Sequence, residues 1–201
     1  MVNGYSISEL ISSSISLIAT KLFYPGARLV RRPFYIRGKA FMKYGNGFTT
    51  GYHCRFDINN EAADGANSEE KRLIIGKNCK IGDNVHIVAS KKVIIGDDCL
   101  MASKIFISDT NHGEYSNVEF MSSPSVAPDA RLLYTAEVII GDRVWIGENA
   151  VILPGVTIGD GVIIGANSVV NRDIEANCIA AGSPARVIKI WNEEKNQWVR
   201  S

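Results

Sequence analysis

The sequence predicts an all-β fold, a parallel β-helix built from six-residue repeats, and three observations support this prediction. Apolar residues return at every sixth position over much of the chain, and small or apolar residues follow four positions after each of them. Glycine comes directly after many of the repeated residues, where the chain has to turn a corner. A period of six is neither the 3.6 of an α-helix nor the two of a plain strand. It is typical of flat strands wound around a triangular coil, in which each coil buries its apolar side chains only against its neighbours.

The repeats fall into two runs of the same phase. The repeated residues of the longer run are Ile140, Ile146, Ile152, Ile158, Ile164, Val170 and Ala176. Those of the earlier run are Ile75, Ile81, Ile87, Ile95, Met101 and Ile107. The step from Ile87 to Ile95 is eight rather than six, so two residues are inserted there. We expect the repeated side chains to point inward and to fill the coil.

A helix is predicted at the N-terminal end of the chain. Residues 6–24 have an amphipathic pattern, Ser6 and Glu9 have the spacing of a capping box, and Pro25 stops the helix. A basic segment follows, with Arg28, Arg31, Arg32, Arg37 and Lys39. Such a segment beside an amphipathic helix can hold a protein at an anionic membrane surface, here the inner face of the membrane. A solvated face that contacts a neighbouring subunit is the alternative.

Two further segments depart from the repeats. Residues 112–137 form a long loop, and a loop of this length within a compact domain is usually functional. Residues 190–199, which include both Trp191 and Trp198, are expected to form a short helix that caps the open end of the coil. The predicted organisation is therefore an N-terminal helix and basic segment over 1–40, the β-helix over 41–190 and a C-terminal helix over 191–201.

Composition and charge argue against several classes of protein. A length of 201 residues fits one domain, and 46% hydrophobic with 21% charged residues argues against a disordered chain. The formal net charge is +1, so nothing indicates a nucleic-acid partner. No apolar run reaches the roughly 20 residues that span a bilayer. The first residues lack the order of a signal peptide, and the four cysteines are scattered, which predicts a cytoplasmic protein with reduced cysteines.

Two long segments carry a resemblance to a known family. VWIGENAVILPGVTIGDGVIIGANSVVNRDI, from Val144, and AAGSPARVIK, from Ala180, resemble the acetyl-CoA-binding end of the hexapeptide-repeat acyltransferases. ISDTNHGEY, from Ile107, is most similar to the branch that O-acetylates lipopolysaccharide and O-antigen sugars, and galactoside and maltose O-acetyltransferases share the pattern. The resemblance covers roughly residues 73–190. It implies a left-handed β-helix homotrimer, with active sites between subunits and direct acetyl transfer from acetyl-CoA to a sugar hydroxyl.

The resemblance also implies residues for the acceptor side of the site. A sugar hydroxyl is a poor nucleophile, so a base has to take its proton, and imidazole is suited to this near neutral pH. His112, at the entrance to the long loop, matches the catalytic histidine of the family. Asp109 could orient the imidazole, bind the acceptor or simply end the coil. Tyr115 is expected either to line the acceptor site or to pack on the coil, and Asn84 and His86 fall where related enzymes contact the sugar.

On the donor side, seven residues match positions that contact acetyl-CoA in the family. They are Trp145, Glu148, Ala166, Asn171, Arg172, Arg186 and Lys189. The backbone N–H of Glu148 could stabilise the oxyanion, and the small side chain of Ala166 leaves room for the pantetheine arm. Trp145 would lie near the thioester or in the trimer interface. Arg186 and Lys189 would meet the nucleotide phosphates, unless they are ordinary solvated charges.

Three other functions are compatible with a coil of six-residue repeats. A zinc carbonic anhydrase of the same fold needs three converging histidines, two of them close in sequence, whereas the histidines here are His53, His86 and His112, so we predict no metal site. A non-catalytic scaffold of hexapeptide repeats would have no reason to keep His112 together with Arg186 and Lys189. A soluble galactoside- or maltose-type acetyltransferase differs from the first choice only in its acceptor.

Overall fold

The chain winds around the three faces of a prism in the computed structural model, which describes residues 6–59, 70–115 and 117–201. Successive strands belong to successive faces, and the strands within each face pair in parallel. This is the parallel β-helix that the six-residue period predicts. Residues 1–5 of the predicted N-terminal segment, 60–69 of the predicted β-helix and Ser116 of the predicted loop lie outside the described residues.

We name the three sheets face A, face B and face C, in the order in which the chain first visits them. Face A contains Leu29–Val30, Thr49–Thr50, Lys80–Ile81, Leu100–Met101, Trp145–Ile146, Ile163–Ile164 and Cys178–Gly182. Face B contains Phe34–Arg37, Cys54–Ile58, His86–Ala89, Phe106–Ser108, Val151–Ile152 and Val169–Val170. Face C contains Met42–Tyr44, Leu73–Ile75, Val93–Ile95, Val138–Ile140 and Thr157–Ile158. The turns between them are called the A–B, B–C and C–A corners.

The interior of the prism confirms the predicted register. The repeated side chains of the longer run are at most 1% exposed as far as Val170, and they stack in line on neighbouring coils, with Ile146 beside Ile164 and Ile152 beside Val170. Ala176 departs from the prediction because it is exposed. Its place opposite Ile158 is taken by Ile174, since the last coil is two residues shorter than the one before it.

The corners require special backbone conformations and very close stacking. Several corner residues have φ near 57–58°, and most of these are Asn or Asp, which tolerate the left-handed region better than other side chains. At the A–B corner, a Cβ atom on Gly147 would lie 2.6 Å from the backbone nitrogen of Ala166 in the next coil. Glycine is therefore needed there for the two coils to stack.

The N-terminal helix extends over Ile7–Phe23, as predicted, and its capping box is formed. The Ser6 hydroxyl accepts the N–H of Glu9 at 3.2 Å, and the Ser6 N–H donates to the Glu9 carboxylate at 2.7 Å. The helix contacts the first coil through small polar residues. Ser16 and Thr20 are fully buried, and the Thr20 hydroxyl accepts the N–H of Val30 at 2.8 Å. A short 3₁₀ helix, Lys39–Phe41, precedes face C.

The C-terminal helix predicted over 191–201 is wrong. Ala185–Asn192 and Gln197–Arg200 are antiparallel strands that extend face A beyond Cys178–Gly182. Trp191 lies directly opposite Trp198, and their rings make an edge contact with centroids 5.3 Å apart. A cross-strand aromatic pair of this kind stabilises a hairpin, which outweighs any helical preference of so short a segment.

The loop predicted over 112–137 contains more structure than expected and starts earlier. Thr110–His112 and Leu133–Thr135 pair as an antiparallel hairpin, and Pro128–Ala130 forms one 3₁₀ turn. The hairpin leaves the coil at the B–C corner. Its ends are joined, because the N–H of Ala136 donates to the carbonyl of Asp109 at 2.9 Å.

Replacement of Ile152 by aspartate is expected to prevent stable folding, because Ile152 is completely buried and an unpaired carboxylate in its place costs several kcal/mol. Thr157→Asp is the matched control, since Thr157 is exposed in the following strand. Thermal denaturation measures both. An Ile152→Asp protein that melts at the wild-type temperature would contradict the register.

Candidate active site

Asp109 closes the B–C corner at the base of the hairpin. The residue is completely buried, and its carboxylate accepts the backbone N–H groups of residues 90–92 at 2.7–2.9 Å. Residues 90–92 form the same corner of the preceding coil, which lies within the eight-residue step of the sequence. The carboxylate also accepts the hydroxyl of Thr110 at 2.8 Å. Among the three roles considered for Asp109, these contacts favour ending the coil.

His112 ends the first strand of the hairpin and has an exposed side chain. The His112 carbonyl accepts a hydrogen bond from the Tyr115 hydroxyl at 2.6 Å. The Tyr115 hydroxyl oxygen in turn accepts one from Arg131 at 2.7 Å. Gly113 follows with φ of 111°, and a Cβ atom there would come within 2.7 Å of the Tyr115 hydroxyl. The backbone of His112 is therefore held in place while its ring faces solvent.

A ladder of hydrogen bonds joins successive coils at the A–B corner. The Asp83 carboxylate accepts the N–H of Tyr52 at 2.7 Å, the Ser103 hydroxyl accepts that of Asp83 at 3.1 Å, and the Glu148 carboxylate accepts that of Ser103 at 3.1 Å. Ala166 occupies the next position of this ladder, and its methyl group cannot accept a hydrogen bond. Within the part of the chain that the structure describes, no group accepts the N–H of Glu148.

Five of the seven predicted donor-side residues form one group around the A–B corner and the outer side of face A. Trp145, Ile163, Ile179 and Lys189 lie side by side in one row across that face. Arg186 pairs with Ala181 in the same sheet. The members of this first group are Trp145, Glu148, Ala166, Arg186 and Lys189.

A second group lies at the B–C corner and contains His112, Asn171 and Arg172. Asn171 and Arg172 are exposed and directly follow the last strand of face B. Face B therefore separates this group from the first, and a single chain does not bring the two groups together.

Asn84 and His86 lie near the first group. Asn84 is exposed at the A–B corner with φ of 57°, and His86 begins a strand of face B. The His86 ring has its Nε2 atom 3.1 Å from the carboxylate of Asp57, and it packs on Phe106 with centroids 5.2 Å apart. The His86 ring is thereby fixed on the outer side of face B.

Asp57, which was not predicted as a site residue, lies against the His86 ring. Burial would raise the pKa of its carboxyl, but hydrogen bonds from Arg55 and His86 and the charges of Arg55 and Arg37 outweigh burial and lower that pKa. No motif marks Asp57. Asp57 lies two residues after Arg55, in the strand that pairs with the strand of His86. Alternate residues of a strand share a face, so this spacing could have placed Asp57 on the same outer surface as Arg55 and His86.

The described residues contain no group of three His, Cys, Asp or Glu side chains that could hold a metal ion. The four cysteines are buried and unpaired. None of the helices within the described ranges is long and apolar enough to cross a bilayer.

Comparisons with known sequences agree on one family. The model described as "Bacterial transferase hexapeptide (six repeats)" matches residues 137–172, and that described as "Hexapeptide repeat of succinyl-transferase" matches residues 72–102. The chain is 39% identical over 201 residues to a protein of Escherichia coli K12 named for O-acetyl transfer in lipopolysaccharide biosynthesis, with 100% of this chain and 98% of that protein covered. The galactoside O-acetyltransferase of the same strain is 38% identical over 62% of this chain and 57% of its own.

Solved structures show the same fold. AntD, an N-acyltransferase of Bacillus cereus in complex with dTDP-4-amino-4,6-dideoxyglucose and coenzyme A, has a TM-score of 0.65 at 21% identity, with 95% of this chain and 92% of AntD covered. A hexapeptide-repeat acetyltransferase of Vibrio cholerae, complexed with acetyl-CoA, has a TM-score of 0.53 at 25% identity, with 94% and 80% covered.

Replacement of Asp109 by asparagine is expected to lower the free energy of unfolding by about 1–3 kcal/mol, because an amide presents an NH₂ group to backbone donors that need an acceptor. Urea denaturation measures this change, and Asp129→Asn, at an exposed loop position, is the control. Unchanged stability together with a loss of turnover as large as that of His112→Ala would instead show a direct chemical role.

Proposed function

Because the chain belongs to the hexapeptide-repeat acyltransferases, we propose that it transfers the acetyl group of acetyl-CoA to a hydroxyl of a bacterial surface sugar, of the lipopolysaccharide or O-antigen type. The observation that carries this acceptor class is the 39% identity over the whole chain to the lipopolysaccharide relative. The galactoside enzyme aligns with only 62% of the chain, so a soluble galactoside or maltose acceptor is the second candidate. The coils would wind left-handed, as in the family. The free cysteines fit a reducing cytoplasm.

The proposed site is completed by a neighbouring copy of the chain. The two groups of predicted residues lie on opposite sides of face B, so they meet if the B–C corner of one subunit packs near the A–B corner of the next. Threefold symmetry repeats this contact in a closed ring and gives three equal sites. A homotrimer therefore provides what one chain lacks.

In the proposed reaction, His112 takes the proton of the acceptor hydroxyl as the oxygen attacks the thioester carbonyl. The new C–O bond forms, and the carbonyl oxygen becomes negatively charged. The free N–H of Glu148 is suited to donate to this oxygen. When the intermediate collapses, the C–S bond breaks, and the thiolate of coenzyme A receives the proton from the imidazolium. No acyl-enzyme is needed.

The donor-side residues fit a long anionic ligand. Ala166 is exposed and small beside the free N–H, which leaves room for a narrow arm. Within the described chain, Arg172, Arg186 and Lys189 form no salt bridge, so their charges are available for phosphates. Trp145 is about half exposed and can cover the arm.

The remaining predicted residues would position the reactants. Tyr115 holds the backbone of His112 through its hydroxyl, and Asp109 anchors the hairpin from below. Asn84 and His86 would contact the acceptor sugar, and Asp57 keeps the His86 ring in place.

Replacement of His112 by alanine is expected to lower kcat by about 10²–10⁴, the usual contribution of a positioned base. Acetyl-CoA turnover with a panel of oligosaccharides, with the product located by NMR, measures it. Acetyl-CoA affinity and the oligomeric state are the controls, and both should be unchanged. Normal turnover by the variant would refute the proposed base.

Replacement of Ala166 by aspartate is expected to extend the hydrogen-bond ladder, so that the new carboxylate accepts the Glu148 N–H and takes it from the reaction. Loss of one oxyanion donor costs about 10²–10³ in kcat. Ala176→Asp is the matched control. A similar ladder of hydrogen bonds runs along the C–A corner, where the Asp160 carboxylate accepts the N–H of Asp142 at 2.9 Å. Ala176 occupies the position after Asp160 in that ladder. Full activity of Ala166→Asp, or equal loss in both variants, would count against the role of Glu148.

Mixing the two inactive variants tests the shared site. Co-expressed His112→Ala and Ala166→Asp chains are expected to recover about a quarter of the wild-type rate, because each site draws its two corners independently from two neighbouring subunits. Sedimentation equilibrium should give three chain masses. Mixed trimers without any recovered activity would place both groups of residues within one subunit.

A further inference from the structure

The N-terminal helix presents its large apolar side chains to the outside. A surface helix normally packs its apolar stripe on the core, but here the fully buried residues are the small, polar Ser16 and Thr20. The large apolar residues of the helix are instead exposed, most of them by more than half. They are Ile7, Leu10, Ile11, Ile15, Leu17, Ile18, Leu22 and Phe23. We call them the apolar face of the helix.

The apolar face is continuous. Ile7, Ile11, Ile15, Ile18 and Leu22 recur at steps of three and four, so they form one stripe, and each is 57–77% exposed. The helix has 17 residues and is about 25 Å long at 1.5 Å per residue, and the stripe follows nearly its whole length. Exposed apolar surface of this extent marks an interaction site rather than an ordinary solvated surface.

Cations border the apolar face. Arg32 lines a shallow groove together with Ile11 and Ile15, and its guanidinium lies 6.0 Å from the centre of the Phe23 ring. Lys39 donates to the carbonyl of Phe23 at 2.7 Å, at the end of the helix. Lys21 stands in the last turn.

These cations and two others of the basic segment near the helix form no close ion pair in the described structure. Lys21, Arg28, Arg31, Arg32 and Lys39 form no salt bridge with any described residue. The only carboxylate of the helix, Glu9, is bound in the capping box at the far end. An apolar stripe is thus combined with uncompensated positive charge along its C-terminal half.

We propose that the apolar face binds an anionic lipid surface, with the helix lying in the plane of the membrane interface. Apolar side chains would enter the acyl boundary, and Arg32 and Lys21 would meet the lipid phosphates. The helix is attached to the coil by Ser16 and Thr20, so its outward side can enter lipid without unfolding. The inference depends on the helix and its charges and not on the chemistry of the proposed reaction.

A second copy of the chain fits this surface less well. Contact between the apolar faces of two copies would bring the same unpaired cations together, and like charges repel. The whole chain has 22 basic and 21 acidic residues, so no general excess of acidic surface is available to receive these cations. An anionic bilayer supplies both an apolar layer and a sheet of negative charge beside it.

Flotation of the full-length protein with vesicles tests the proposal. Vesicles of phosphatidylcholine alone are compared with vesicles that also contain phosphatidylglycerol. We expect binding to the anionic vesicles only, weakened by salt, because the charge contribution is screened. The double substitution of Ile11 and Ile18 by serine should lower the bound fraction at least tenfold. The control replaces Val118 and Leu132 by serine, which removes similarly exposed apolar side chains elsewhere, and should bind like the wild type.

The charge is tested separately. Lys21→Gln with Arg32→Gln should also release the protein, whereas Lys195→Gln with Arg200→Gln, in the C-terminal hairpin, should not. The proposal is overturned if the wild type does not float with anionic vesicles, or if the helix variants float as well as the wild type. It is also overturned if Ile11→Ser with Ile18→Ser lowers the oligomeric mass, because the apolar face would then be an interface between copies. Acetyl transfer to a water-soluble acceptor should stay at the wild-type rate in the helix variants, so failure of the reaction and failure of membrane binding are distinguishable.

Discussion

The structure depends on one constraint, that each coil can bury its interior only by stacking on the next coil. A two-residue strand contributes a single inward side chain, so Ile146 is shielded from water because Ile164 lies beside it on the following coil. The corners must come equally close, which is why Gly147 has no room for a Cβ atom above Ala166. Side-chain oxygens at the corners accept hydrogen bonds from the backbone N–H groups that have no backbone partner in the stacked coils.

The candidate site arises where this regular pattern is interrupted. The ladder at the A–B corner satisfies one backbone N–H per coil until the methyl group of Ala166 ends it. The B–C corner is enlarged by inserted residues, and Asp109 gathers their donors while the hairpin that carries His112 leaves the coil. Both features are built on the stacked coils, so the predicted site residues are attached to the regular part of the fold.

Much of the fold could be predicted because its interior follows one period. That period located the inward residues of both runs up to Val170, and the capping box located the start of the helix. It failed at Ala176, because a coil shortened by two residues leaves no trace in local composition. The error at the C-terminal end has a different cause. Trp191 and Trp198 are seven residues apart, which suits a helix face as well as a hairpin pair, and only the tertiary contact decides. The hydrogen-bond partners of Asp109 could not be predicted from the sequence either, because they are backbone N–H groups of another coil.

The joined ends of the hairpin have a consequence for how such an enzyme can change. The N–H of Ala136 meets the carbonyl of Asp109, so the coil continues from one residue to the other as though residues 110–135 were absent. Residues 110–135 are therefore an insertion in the coil. The entropic cost of closing a loop grows slowly with its length, by about 0.6 kcal/mol for each doubling. Insertions and deletions after His112 can therefore change the length of this segment in related chains, while the coils beneath it stay the same.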